Sequence, residues 1–274
     1  MIIFSDRELS KRIERAEARF NAAFVESRAK LFPQSGAQWI EVAGAYALFD
    51  GSQSPCTQTF ALGLFQEATS ADLKEIEDFF VERGASVSHE ISPLAHASLL
   101  PLLLKHRYQP IEYSTILFLS LKQDPQCVLS INSNISIRII EADEVNLWAH
   151  TSAKGWTAEM PGVFDFVYEL GFISAGCENC YLFLAEINNK PIATSILSIV
   201  DGVAICCGTS TILEARRQGA QTALISAQLH FAKEKNAEMA LMAASPGSQS
   251  QKNAEKNGFG IAYTRTKWQL APTS

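Results

Sequence analysis

Near its C-terminal end the chain reads Thr209-Ser210-Thr211-Ile212-Leu213-Glu214-Ala215-Arg216-Arg217-Gln218-Gly219-Ala220-Gln221-Thr222. The apolar run 203–207 leads in, and a run with apolar residues at Ala220, Ala223, Leu224, Ala227 and Phe231 leads out. The second has the spacing of one helical face, so the stretch predicts strand, turn, helix. A helix start exposes four backbone N–H groups without internal partners, and the aligned peptide dipoles leave partial positive charge there. Gly219 lets a ligand approach the backbone, while Arg216 and Arg217 add full charges beside the amides. The chemistry on offer is the binding of an anion. The Gly-Lys-Ser/Thr triplet of a Walker loop is missing, and so is the G-x-G-x-x-G of a dinucleotide turn.

Arg216-Arg217-Gln218-Gly219-Ala220-Gln221 resembles the Gln/Arg-x-x-Gly-x-Gly/Ala turn of the GCN5-related N-acetyltransferases. Gln221 departs from that pattern, standing where the family has Gly or Ala. Asn257-Gly258-Phe259 is similar to the family's closing Gly-Phe, so the resemblance covers roughly the last half of the chain. It implies acetyl-CoA or another acyl-CoA as co-substrate and an amine of a small molecule or peptide as acceptor. Thr209, Ser210 and Thr211 would pair with the pantetheine arm as an added strand would. Arg216, Arg217, Gln218, Gly219, Ala220, Gln221 and Thr222 would hold the diphosphate, with Ser250 and Asn253 lining the arm. A strand amide would polarise the thioester carbonyl. The tyrosine that many members place four residues before the Gly of Gly-Phe is Ala254 here, so Tyr263 is the expected acid. Glu159 is the expected base, ahead of His150, Asp165 and Glu186, and Trp156 is a candidate wall of the acceptor pocket.

The elements that must position these residues come from a chain of 274 residues, 47% apolar, with a net charge of −6. That length accommodates two compact domains with substantial cores. The acidic balance argues against a broad nucleic-acid-binding face, which needs clustered Lys and Arg. No apolar run reaches the length of a membrane span, and residues 1–6 turn polar before a signal-peptide core forms, so a cytoplasmic location is expected. The six cysteines are scattered. Cys177-Glu178-Asn179-Cys180 is a single C-x-x-C without a second pair or a histidine at ligand spacing, which reads as structural. No metal is expected.

Apolar spacing predicts a helix over 7–31, whose stripe packs on its own domain, with a homodimer contact as the alternative. Strands follow at 39–49 and 59–65, a helix capped by Thr69, a strand at 87–91, a helix at 97–106 and a strand at 111–121. After a linker at 122–134 come a strand at 135–140, a helix starting at 141–143 and a loop at 155–162. A short helix at 163–170 and strands at 181–187, 192–200 and 203–207 lead to the helix after Gly219. A strand at 238–243, a helix at 250–257 and a strand at 261–270 close the chain. Both halves end helix, strand, Ser-Pro, helix, aromatic and a strand containing Ile-x-Tyr (Ile111-Glu112-Tyr113 and Ile261-Ala262-Tyr263), an internal duplication. The expected fold is α/β (α+β). It comprises two tandem domains like those of the acetyltransferase family, 1–124 and 135–274, each a mixed, mostly antiparallel sheet flanked by helices. In the first copy the turn is Phe65-Gln66-Glu67-Ala68-Thr69-Ser70-Ala71-Asp72, with carboxylates that repel a diphosphate, so only the second copy is expected to bind the carrier. His89, His96 and His106 read as structural. The alternatives are an acyl-CoA-binding regulatory module without catalysis and, disfavoured by the low basic content, an aminoacyl transferase using charged tRNA.

Overall fold

The computed structural model describes residues 5–122 and 132–272; most of the expected linker lies outside them. In chain order the elements are α1 (Arg7–Leu31), β1 (Gln38–Val42), β2 (Ala45–Phe49), β3 (Gln58–Phe60), α2 (Ser70–Val81), β4 (Ser88–Ile91), α3 (Leu99–Lys105) and β5 (Tyr108–Ser120). There follow β6 (Ile135–Ile139), α4 (Val145–Thr157), α5 (Phe164–Ala175), β7 (Cys180–Ile187), β8 (Lys190–Val200), β9 (Val203–Thr211), α6 (Ala220–Glu234), β10 (Met239–Ala244), α7 (Gln249–Lys256) and β11 (Gly260–Leu270). The chain divides into two compact units. One holds the residues through 116 with 244–246 and those from 261 onward; the other holds 117–243 with 247–260. The last strand, which lies in sequence with the second domain, is thus part of the first unit.

In the first unit the strands run β1-β2-β3-β4-β11-β5. β1 and β2 form an antiparallel hairpin, β3 pairs parallel with β4, and β11 pairs antiparallel with β4 from Thr266↔Ile91 to Gln269↔Ser88. The single strand expected over 39–49 is two, because Ala43 (φ +50°) and Gly44 (φ +78°) turn the chain back in the left-handed pair that suits a tight hairpin. The strand expected to reach residue 65 stops at Phe60, where Ala61 (φ +66°) and Gly63 (φ +74°) break the extended backbone. Leu73, Ile76, Phe79 and Phe80 of α2 fill a core with Leu48's neighbours Ala47 and Phe49, and with Leu99 and Tyr108.

The second unit runs β10-β9-β8-β7-β6, antiparallel except for the parallel pair β9 and β10. Each unit therefore contains one parallel pair joined through a helix, β3-α2-β4 and β9-α6-β10, the counterpart of the duplication read from sequence. α4 extends through Thr157, so Gly155, Trp156 and Thr157 are helical rather than part of a loop. Trp148 anchors α4 by donating its indole N–H to the Phe183 carbonyl at 2.9 Å. No helix among the described residues is long and apolar enough to cross a membrane.

β11 is held in the first unit by charge as well as by its ladder. The Arg265 guanidinium, 3% exposed, lies 3.2 Å from Glu14, 2.6 Å from Glu17 and 3.1 Å from Glu90. Tyr263 donates its hydroxyl to Glu14 at 2.8 Å. Arg265 and Lys267, the latter 4.0 Å from Glu90, face three buried or half-buried carboxylates, and burial pushes the Glu14 carboxyl up from 4.5 to about 7. Glu90 is raised in the same direction by the same cause. Replacing Arg265 by Met strands these acids, and a loss of about 3–5 kcal/mol is expected in urea unfolding. Glu14 binds its proton more tightly folded than unfolded, so its contribution is complete below pH 4.5 and is lost as pH rises through about 7. Glu14→Gln should flatten that decline, giving a variant whose stability relative to wild type improves between pH 5 and pH 8.

Candidate functional site

β9 supplies the first part of the site. Its ladder with β8 covers most of its length, whereas its parallel register with β10 covers only Val203–Ile205 opposite Met239–Leu241. Beyond Ile205 the parallel register with β10 ends, and the following stretch of β9 runs without it. A bulge sits in the same stretch. Thr194 faces Ser210 and Ile196 faces Cys207, so the single residue Ser195 opposes both Gly208 and Thr209. Gly208 takes φ +61°, and a Cβ there would lie 2.9 Å from Ile196 Cδ1. The Thr209 and Ser210 hydroxyls have protein partners: Thr209 Oγ1 lies 2.8 Å from Ser195 Oγ, and Ser210 Oγ lies 3.1 Å from Thr194 Oγ1 and donates to the Ser152 carbonyl. Both hydroxyls are thus engaged within the protein.

The turn supplies the second part. After a 3₁₀ turn at Leu213–Ala215, Arg217 adopts φ +62° and Gly219 φ +90°, and Gly219 starts α6 without any side-chain cap. Among the described residues the amides of Arg217, Gln218, Gly219, Ala220, Gln221 and Thr222 find no protein acceptor, while Ala223 N–H already bonds the Gly219 carbonyl. A cluster of unpaired donors at the head of a 15-residue helix is an anion seat. Among the described residues nothing lies within 4 Å of a Cβ built on Gly219, and Asn132 Nδ2 donates to the neighbouring Gln218 carbonyl at 3.1 Å. Gln221, the departure from the motif, is drawn aside by Asn253 Nδ2, which donates to its Oε1. Ser250, one turn before Asn253 on α7, is half-buried.

The equivalent helix of the first unit is closed. Thr69 Oγ1 accepts the Asp72 amide at 3.2 Å, and the Asp72 carboxylate accepts the Thr69 amide at 2.7 Å. This capping box consumes donors and adds negative charge at the α2 head. At the preceding turn, a Cβ on Gly63 would meet Leu99 at 2.9 Å.

The side chains expected to do proton chemistry are arranged differently from the sequence reading. Arg216 turns away from the seat: Nε donates to the Thr211 carbonyl at 3.3 Å, and Nη2 donates to the Gly155 carbonyl at 3.2 Å and pairs with Glu159 at 3.1 Å. Arg217, exposed, is the cation left at the turn. Glu159, the expected base, is therefore ion-paired, with more than half its side chain exposed. Glu186 is bound by Arg138, which also grips Glu144 and, with the Glu141 amide, holds that carboxyl down at about 2. His150 packs edge-on to Phe164, and Asp165 is exposed in the first turn of α5. Tyr263, the expected acid, belongs to the first unit, where its proton is committed to Glu14 and burial raises its pKa.

Three contributors escaped the sequence reading. Gly155 lets α4 touch β9, since a Cβ there would be 2.6 Å from Ser210 Oγ. Gly208 makes the bulge, and a glycine inside a strand pattern was its available signal. Gln228, buried in α6, reaches Ser195 beneath the bulge, with no sequence signal beyond a polar residue on an apolar face.

No protein-family model matches the chain, and no curated protein sequence does. Solved structures match it along nearly all of its length. A GCN5-related N-acetyltransferase from Kribbella flavida is 16% identical, with 93% of this chain and 96% of that one covered and a TM-score of 0.61. One from Sphaerobacter thermophilus is 13% identical, with 94% and 93% covered and a TM-score of 0.56. A tandem GNAT protein from the clavulanic acid biosynthesis pathway is 11% identical, with 95% and 98% covered and a TM-score of 0.57. The chain thus has the GCN5-related N-acetyltransferase fold, in its tandem form.

Because Gly219 is left-handed, any L side chain there carries strain of about 1 kcal/mol. Gly219→Ala is expected to lose that much stability in thermal or urea unfolding. Gly219→Glu should show the same modest stability loss and, by placing a carboxylate at the uncapped helix head, weaker retention of pyrophosphate, a simple anion probe, by calorimetry.

Proposed function

We propose that the protein is an acyl-CoA-dependent N-acyltransferase whose second unit alone holds the thioester carrier. The observation that carries this reading is the pairing of an uncapped helix head, whose amides from Arg217 to Thr222 find no acceptor among the described residues, and a neighbouring strand whose register with its parallel partner ends at Ile205. The amides and Arg217 suit a diphosphate; the outward backbone of Thr209 to Thr211 suits the amides of a pantetheine arm. Ser250 and Asn253 flank that arm from α7. Bound acyl-CoA supplies the activated carbonyl.

An amine then attacks that carbonyl. The C–N bond forms, the C–S bond breaks, and the sulfur leaves as thiolate to be protonated. The attacking amine arrives as ammonium and must first lose a proton. Glu159 serves that step once its bond to Arg216 opens, either directly or through water. Tyr263 has no part in it, and the leaving thiolate takes its proton from solvent, consistent with Ala254 at the place where relatives of this fold carry an acid. The amine acceptor, a small molecule or peptide, would approach past the exposed loop after α4 that carries Glu159.

The paired state of Glu159 favours one other reading, a carrier-binding module without turnover. Release of free thiol from acetyl-CoA over a panel of amines separates the two. With a competent acceptor, Glu159→Gln is expected to lower kcat about 10²-fold or more and to leave acetyl-CoA affinity nearly unchanged. Arg217→Ala should weaken CoA about ten-fold while sparing pantetheine, which lacks the diphosphate. Binding without thiol release from any amine would favour the module; no binding at all would dismiss both.

A further inference from the structure

The bulge on β9 is underpinned by a buried polar network that the proposed chemistry has not used. Gln228, on the inner face of α6, is fully buried. Its Nε2 donates to Ser195 Oγ at 2.8 Å and to the Ile196 carbonyl at 2.9 Å. Ser195 Oγ in turn lies 2.8 Å from Thr209 Oγ1 and 3.3 Å from the Cys207 carbonyl. Ser195 is the one residue that faces two across the bulge, and Cys207 and Thr209 flank Gly208. One amide thus ties α6 to both sides of the irregularity.

The tie is made at a cost. With both Nε2 protons engaged, the amide orientation is fixed, and Oε1 has no hydrogen-bond partner among the described residues. An apolar side chain of similar length would fill the same space without an orphaned acceptor, and such orphans are rare in folded interiors. A bulge without such a tie can slide by one residue along its partner, which would turn the extra amide elsewhere.

We propose that Gln228 is a positioning residue: through Ser195 and Thr209 it fixes the register of the bulge so that the backbone amide of the extra residue there, Gly208 or Thr209, meets the carbonyl oxygen of a bound acyl thioester. This rests on the reading of the second unit as the carrier site. The amide polarises the carbonyl as the amine attacks, and Gln228 itself touches neither reactant.

The test compares acetyl-CoA with S-ethyl-CoA, which replaces the carbonyl by methylene, by calorimetry on the full chain. Wild type should favour acetyl-CoA about five-fold, the worth of one hydrogen bond. In Gln228→Met the preference should fall to about one while affinity for CoA stays within about two-fold. Ser195→Ala is the milder second variant should Gln228→Met fail to fold. The carbonyl resonance of bound [1-¹³C]acetyl-CoA should move downfield in wild type and return toward its free position in the variants, a change that a merely structural role does not produce. Retention of the preference and of the shifted resonance in a folded variant would overturn the role of Gln228. Equal affinity of wild type for both ligands would also overturn it while leaving the carrier site standing. Absence of CoA binding in wild type would instead sink the carrier reading, and this inference with it.

Discussion

Hydrogen-bond donors at a helix head must be satisfied by something, and the two repeats answer that constraint in opposite ways. In α2, Thr69 and Asp72 close the head with their own side chains. In α6 no side chain among the described residues does so, and the chain enters the helix through two left-handed residues whose neighbouring amides find no acceptor among those residues. Such groups are costly to bury and are tolerated where water or a ligand reaches them. From that difference follow the open space at Gly219, the exposed Arg217 and the withdrawal of Gln221 toward Asn253.

The strand leading to the turn obeys a matching logic. A β9 paired along its whole length with β10 would offer nothing to an extended ligand. Because the parallel pairing ends at Ile205, the remaining six residues can act as a sheet edge. Edges of this kind invite unwanted pairing, and here the edge is short, bulged and buttressed from behind by Ser195, Ser210 and Gln228. Gly155 and Gly208 allow the close approaches that this buttressing requires.

Much of this was legible in the residues. Apolar spacing located α1, α2 and α6, and the arginine-glycine turn located the uncapped helix head, because local pattern and local geometry coincide there. The Thr69 cap was legible for the same reason. What sequence could not convey depends on contacts distant along the chain. Nothing local says that Arg216 will reach back to Gly155 and Glu159, so both arginines read as equally free. Nothing marks Tyr263 as the partner of Glu14, since 249 positions separate them. The 39–49 run lacked a conspicuous turn dipeptide, so the Ala43-Gly44 reversal was hidden in an apolar stretch.

Membership of β11 in the first unit bears on how the polypeptide is made. Apart from a brief return at 244–246, about 145 residues lie between Ile116 and the segment that begins at Ile261. At roughly 5–20 residues per second, a ribosome takes on the order of ten seconds or more to cross that interval. Throughout it the nascent first unit lacks the strand that pairs antiparallel with β4 and, with it, the Arg265 guanidinium that meets Glu14, Glu17 and Glu90. The second unit, by contrast, can complete its sheet as soon as α7 emerges. Maturation therefore runs against the direction of translation, with the segment synthesised first being the one that finishes last.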